Sequence, residues 1–435
     1  MATDLQVERQ PVAAVAPPPI AWRKLLGGGT IVVVGSAATN VLSFLFSFVV
    51  ARLLKPEDYS TVTACLSLLV VVTVPAATLQ LVAARYAAIW HESATMVHTL
   101  ARWLARIALC LGVLLAVGLI ALSGFFTRYL HLPNALPLYL VSGVLLCSFV
   151  GPVYRGLLQG LHHFGRYAIA SASEFAVRLL AAVSLVLLGW HEAGALGGVL
   201  LGAAGGAVLA WRFASDLAGV CESKAIPVRA IARWAMPTLL VQVALSALVF
   251  QDTLLAKHFF SPADAGSYAG LATTARVLFY ISGALSAFLF PVVARMHTHG
   301  GQSRLISHVT VGLVALVEIV LVLGYVVAPR FALHLIVGSQ YEAVSAYLPA
   351  IAVALASYAV INVLVSYLLA TGNRAFLIPL LVAPVAEGLL MTVYHQSLGE
   401  FVHTLDAVML GTLAVMAWIY WRSGAAATTS TWEIE

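Results

Sequence analysis

Two stretches of this chain, Gly28–Ala51 and Ile107–Phe126, contain no Asp, Glu, Lys or Arg. Each is long enough to carry an α-helix across a hydrocarbon layer ~30 Å thick. Hydrocarbon offers the backbone no hydrogen-bond partners, so a run of this kind must satisfy its own amides, as a helix does. Comparable runs recur to the end of the chain. Only 9% of the residues are charged and 61% are hydrophobic, whereas a soluble domain carries roughly 25% charged residues. The mean hydropathy of +0.97 does not fit a water-facing surface. The period-2 alternation of a membrane barrel is missing. The expected fold class is all-α, a polytopic membrane protein.

Apolar runs and polar breaks predict about twelve transmembrane helices, near residues 28–50, 59–84, 104–124, 135–154, 168–189, 194–211, 235–255, 266–293, 306–328, 346–370, 376–396 and 403–421. An even number puts both termini on one side, and the distribution of basic residues fixes which side. With the N-terminus cytoplasmic, 16 Lys and Arg fall in cytoplasmic segments and 5 in outer loops. Arg178 and Arg276 lie inside helices. The expected location is a cell (inner) membrane, with cytoplasmic N and C termini.

The longest polar cytoplasmic stretch divides the chain. The expected organisation is a disordered Pro/Ala-rich tail (1–27), a six-helix half (28–212), a linker (213–234), a second six-helix half (235–421) and a tail (422–435). The first apolar run is too long for a signal peptide and no cleavage-type site follows it. A weak internal echo supports the halves. Leu53-Leu54-Lys55-Pro56-Glu57-Asp58 follows the first helix, and Phe259-Phe260-Ser261-Pro262-Ala263-Asp264 follows the seventh. Repeats of this kind are common in transporters, with substrate bound between them. In the sixth helix Gly194, Gly198, Gly202 and Gly206 recur every fourth residue, a face that lets backbones approach closely. That face serves either packing within one bundle or dimerisation.

Several functions are disfavoured. Cys65, Cys110, Cys147 and Cys221 have no CxxC spacing, so neither a disulfide framework nor a zinc site is expected. The His162-His163 and His297-Thr298-His299 groups are loop residues, and no metal is expected there. There is no GxxxxGK[ST] loop, so the chain carries no ATP engine and implies no ATPase subunit. The +5 net charge follows topology rather than nucleic-acid binding. No large outer loop carries candidate catalytic residues, so no enzymatic activity is expected.

Four segments carry a resemblance. They are Ala51-Arg52-Leu53-Leu54-Lys55-Pro56-Glu57-Asp58-Tyr59, Arg155-Gly156-Leu157-Leu158-Gln159-Gly160-Leu161-His162-His163-Phe164, Trp234-Ala235-Met236-Pro237 with Gln251-Asp252, and Tyr268 through Arg276 to Pro291. In order and spacing they resemble the polysaccharide flippase family (Wzx-like) of the multidrug/oligosaccharidyl-lipid/polysaccharide exporter superfamily. The resemblance implies alternating access between two halves and a lipid-linked saccharide as substrate and partner, with membrane lipids around it. The related lipid II branch carries cationic residues in its first helix. Here that helix offers Ser36, Asn40 and Ser43, which favours a polysaccharide-type substrate.

Ionisable residues at membrane depth are costly and mark functional sites. Arg178 lies about ten residues into the fifth expected helix, so ~15 Å deep. Glu174, four residues earlier on the same face, is read as its partner. Arg276 is equally deep in the eighth helix, with Asp252 as a possible counter-ion. An arginine fork matches phosphate oxygens and stays ionised. Arg178, Arg276, Glu174, Asn40 and Asp252 are therefore candidate substrate-binding residues. Glu318 and Glu387 have no basic neighbour in their own helices and are candidates for coupling a proton or sodium ion. Pro379 and Pro384 precede Glu387 and would loosen that helix, and Pro75 should bend the second. Gln80, Gln159, Gln242, Gln251 and Asn362 are of a type that binds sugars but also bridges helices. No cofactor is expected. The alternatives are a drug or metabolite cation antiporter of the same superfamily and a membrane-embedded saccharide ligase or polymerase.

Overall fold

The computed structural model describes residues 22–216, 225–297, 303–370 and 373–426. The expected N-terminal tail up to residue 21, the middle of the linker with Cys221, and the tail from residue 427 lie outside the described residues. Among the described residues every element is helical. The first part comprises α1 (Trp22–Leu53), α2 (Pro56–Val72), α3 (Val74–Ile89), α4 (Ala94–Ala121), α5 (Ser123–Tyr129), α6 (Leu136–Gly160), α7 (Phe164–Leu185) and α8 (His191–Ser215). The second comprises α9 (Val228–Phe259), α10 (Pro262–His297), α11 (Ser303–Val327), α12 (Pro329–Ile336), α13 (Leu348–Ala370), α14 (Leu377–Val393) and α15 (Leu398–Ala426).

Helices occupy all twelve expected segments. By length and composition, eight of the described helical stretches suffice to cross a membrane, or nine with the bent pair α2–α3. That pair is the predicted Pro75 bend: α2 and α3 meet at Thr73 with an angle of 45°. Pro75 falls in the first turn of α3, where its missing amide costs nothing. The outward faces of α4, α11 and α14 expose Leu, Ile and Val, as lipid contact requires. The multi-pass membrane character of the chain follows from these helices.

Within the first part, α6 packs on α3, α4 and α8, and α7 lies between α1 and α8. In the second, α13 packs on α10, α11 and α15, while α14 packs on α9 and α15. The two groups meet mainly through α2 and α3 against α9, and α1 and α2 against α10. The echoed turns are equivalent here. Pro56 opens α2 and Pro262 opens α10, and a Cβ on Gly266 would run into the Pro56 backbone.

Contacts between the groups concentrate at the end of the molecule that carries Pro56. The Arg52 guanidinium donates to the carbonyls of His334 (3.0 Å) and Leu335 (2.7 Å). Gln340 donates to Ala51 O (2.7 Å) and Leu54 O (3.2 Å). Lys257 Nζ donates to Ser60 Oγ (2.7 Å), and Tyr59 and Thr273 share a hydroxyl hydrogen bond of 2.8 Å. At the opposite end the Arg85 guanidinium lies 4.8 Å from the Trp234 ring.

The glycine ladder packs within its own bundle. The chain turns from α7 into α8 through a π turn, Val186–Trp190, in which Gly189 adopts φ +87°. It then runs back along α7. A Cβ on Gly202 would lie 2.6 Å from both Arg178 Cβ and Glu174 O, and one on Gly206 would lie 2.6 Å from Glu174 Cβ. Small residues in α8 thus fix the height of Glu174 and Arg178. Gly202→Leu should lower the stability of the detergent-solubilised protein by about 1–3 kcal/mol or more through overpacking. Gly205→Leu, at a position with nothing within 4 Å, should melt like wild type. Thermal melting followed by fluorescence-detected gel filtration compares the two.

Candidate functional site

Between the two groups of helices, beneath the Tyr59–Thr273 contact, lies a cavity of about 220 Å³. Ser43, Phe44, Phe46 and Ser47 of α1 line it, with Tyr59, Thr63, Ser67 and apolar residues of α2. Phe175 and Arg178 come from α7, Phe250 from α9, and Thr273, Arg276 and Tyr280 from α10. Hydroxyls and ring faces make up most of the polar and aromatic lining. Among the described residues that line it, two are cationic and none is a carboxylate. Both deep arginines therefore reach one space, one from each group.

Their surroundings differ. Arg276 is 7% exposed and its charge is matched. Its Nη2 lies 2.9 Å from Asp252 Oδ1, 2.8 Å from Val249 O and 2.6 Å from Thr253 Oγ1. Asp252 Oδ2 accepts from the Tyr268 hydroxyl at 2.8 Å. The Arg276–Asp252 pairing weighed from the sequence is the one that forms, because Arg276 reaches back toward the start of α10. Arg178 has no such partner. Among the described residues no carboxylate or hydrogen-bond acceptor meets its guanidinium, and its Nε, like that of Arg276, is buried without a bond. The guanidinium rests 4.1 Å from the Phe46 ring centroid and 5.7 Å from that of Phe175.

Glu174 does not hold Arg178, contrary to the reading of the four-residue spacing. It is ion-paired with Arg155 of α6, with the two side chains 19% and 14% exposed. The expected fourth helix stopped at 154 and left Arg155 in a cytoplasmic loop. In the structure α6 continues to Gly160 and carries Arg155 inward. The continuation is possible because Gly156 and Gly160 have no side chain to collide with α3. The glycines that looked like loop residues are packing residues.

Asn40 is half-buried on α1, three residues from the cavity-lining Ser43, and does not itself line the cavity. Glu318 is buried on α11, which packs on α13 and α10, and it does not line the cavity. Glu387 on α14 is wholly buried beside Gln251, and among the described residues neither of its carboxyl oxygens meets a donor at full hydrogen-bond geometry. Gln251, beside the Arg276–Asp252 pair in sequence, donates to Pro384 O at 2.8 Å. It bridges α9 and α14. None of Gln80, Gln159, Gln242, Gln251 and Asn362 lines the cavity. Phe46, Tyr59 and Tyr280 do, and sequence reasoning passed over them because an aromatic residue in an apolar run carries no distinguishing signal.

A two-group helical bundle that closes on a central cavity defines a polytopic membrane protein of transporter fold. The chain superposes on solved structures of MATE family transporters. An inward-facing multidrug resistance MATE family transporter of the MOP superfamily superposes with a TM-score of 0.73 at 15% identity, covering 90% of this chain and 96% of that one. An outward-facing transporter of the same description gives 0.57 at 14% identity, covering 93% and 95%. A MATE in the bent conformation gives 0.57 at 13%, covering 94% and 97%. No curated protein matches the chain by sequence. Residues 25–297 match the model of the polysaccharide biosynthesis protein family, and the chain belongs to that family.

The asymmetry of the two arginines has a thermodynamic signature. Removing one partner of a buried ion pair leaves the other charge uncompensated, at a cost of about 3–5 kcal/mol. Asp252→Ala should destabilise the protein by that much. Arg178→Gln should change stability by about 1 kcal/mol or less, since it removes a desolvated charge together with a ring contact. Melting of the purified variants in detergent measures both.

Proposed function

We propose that this protein is a flippase. It moves a polyprenyl-pyrophosphate-linked oligosaccharide from the cytoplasmic to the outer leaflet of the cell (inner) membrane, for assembly or export of a surface polysaccharide. The observation that carries this reading is Arg178, a cation at the wall of a central cavity with which no carboxylate forms an ion pair among the described residues. Burying an unmatched charge costs several kcal/mol, and the Phe46 ring offsets only ~2 kcal/mol of that. A diphosphate arriving in the cavity supplies the missing anion. Family membership supports the same class of substrate.

The mechanism follows from the lining. Arg178 takes the phosphate oxygens through its planar fork, which stays ionised at depth. Arg276 stands across the cavity with its charge already matched by Asp252, and contributes donors rather than net charge. Hydroxyls of Ser43, Ser47, Thr63 and Ser67 and the rings of Tyr59 and Tyr280 suit the first sugar, whose C–H face packs on aromatic carbon. At about 220 Å³ the cavity is below the ~300–1,000 Å³ of ordinary ligand sites. It fits the charged junction, and the remaining sugars require the halves to part. The prenyl chain stays in lipid. Rocking of the halves breaks the contacts at the Pro56 end, read as the outer end, and delivers the head group there. Glu387, wholly buried beside Gln251 and with no cationic partner among the described residues, is the candidate for a coupling proton or sodium ion. The membrane potential supplies ~2.3 kcal/mol per charge per 100 mV. Transport of this kind makes and breaks no covalent bond in the substrate.

The fold would equally suit a cation exporter, but a cavity wall whose described residues include two guanidiniums and no carboxylate repels a cation. A ligase would act on substrate that is already outside. In a strain whose own protein is deleted, lipid-linked saccharide should accumulate on the inner leaflet; accumulation on the outer leaflet would indicate a ligase or polymerase. Complementation with Arg178→Ala should leave the protein in the membrane and reduce surface glycan by tenfold or more, about the factor for 1.4 kcal/mol. Normal glycan in that strain would remove Arg178 from the mechanism. Glu387→Gln should make transport insensitive to the ion gradient that drives wild type, measured in vesicles with imposed gradients.

A further inference from the structure

The first group of helices holds two guanidiniums and one carboxylate within reach of one another. Glu174 is paired with Arg155. Arg178 follows Glu174 by one helical turn. At that spacing the Cβ atoms lie about 5–6 Å apart, and a carboxylate preceding a cation is the favoured order on a helix. Glu174 therefore has two possible partners, and only one of them lines the cavity.

We infer that Arg155 is a positioning residue: by holding Glu174 it keeps the carboxylate off Arg178, so that the Arg178 guanidinium remains open to the cavity and to an anionic head group. This deepens the role proposed for Arg178 and rests on it. The backbone leaves little alternative. Gly202 and Gly206 of α8 press against Arg178 Cβ, Glu174 O and Glu174 Cβ, so α7 cannot rotate to exchange partners. Only the side-chain torsions of Glu174 choose between the guanidiniums. The three groups sum to one positive charge in either arrangement. With Glu174 on Arg155, that surplus sits at the cavity wall. With Glu174 on Arg178, it moves to Arg155, which does not line the cavity. The ion pair thus decides where the positive charge stands, not how large it is.

The test uses the full-length protein in detergent, with farnesyl pyrophosphate as the anionic prenyl probe and calorimetry as the readout. Arg155→Gln should weaken binding by about tenfold, because Glu174 swings to Arg178. Arg155→Lys, which keeps a cationic partner for Glu174, should bind like wild type. The double variant Arg155→Gln/Glu174→Gln should recover wild-type affinity, because no carboxylate remains to compete. A double variant that stays as weak as Arg155→Gln would overturn the inference, as would a wild-type affinity for Arg155→Gln. A readout independent of substrate accompanies this: phenylglyoxal modification of Arg178, mapped by mass spectrometry. Arg178 should react in wild type, be protected in Arg155→Gln, and react again in the double variant. Should wild type fail to bind farnesyl pyrophosphate, the anion role of Arg178 fails, and the phenylglyoxal pattern still decides whether Arg155 governs Glu174. Unchanged reactivity across the three proteins overturns the inference by itself.

Discussion

A guanidinium inside a membrane protein must meet an anion, a ring face or water, because hydrocarbon solvates none of its charge. That constraint organises the centre of this molecule. Arg276 meets it with Asp252, itself anchored by Tyr268 and Thr253. Arg155 meets it with Glu174. Arg178 meets it with the rings of Phe46 and Phe175. One buried and two partly buried arginines with two paired carboxylates leave one surplus cation among them, and the fold delivers it to the cavity shared by the two groups of helices. The resemblance between the halves stops there. The equivalent turns at Pro56 and Pro262 are similar, whereas the charges deeper inside are treated differently.

Much of the architecture was legible in the sequence because a membrane leaves the backbone few choices. Charge-free runs had to be helices, and the break at Pro75 and the tight packing face of Gly198, Gly202 and Gly206 followed from residue geometry alone. The depth of Arg178 and Arg276 came from counting residues along those helices. What failed was partner choice. Glu174 stands one turn from Arg178, and spacing along one helix cannot reveal a competing arginine on another. Arg155 was hidden because Arg155-Gly156 reads as the start of a loop. Only the contact of Gly156 and Gly160 with α3 explains why the helix continues. The aromatic side chains at the cavity were hidden for a different reason: Phe46 and Tyr59 look the same whether they face lipid, a neighbouring helix or a ligand.

The glycine ladder links packing to the site. Where α8 lies flat against α7, the positions of Glu174 and Arg178 are set by backbone contact rather than by side chains that can adjust. The site is thereby held on rigid elements, the condition under which a buried charge can remain poised for a ligand without collapsing onto a nearby carboxylate.

The contacts that join the two groups at the Pro56 end have a consequence for how the molecule changes shape. Most of the bonds there run from a side chain to a backbone carbonyl: Arg52 to His334 and Leu335, Gln340 and Tyr341 to Ala51. The neutral bonds among these are each worth only about 0.5–1.5 kcal/mol net and the charge-assisted ones of Arg52 about 1.5–3 kcal/mol, because water replaces them when they part. A seam built from a handful of them costs little to part, so a ligand that favours a parted form by a few kcal/mol would be enough to open it. In the transport cycle proposed above, such a joint exchanges its carbonyl partners for water on opening and regains them on closing.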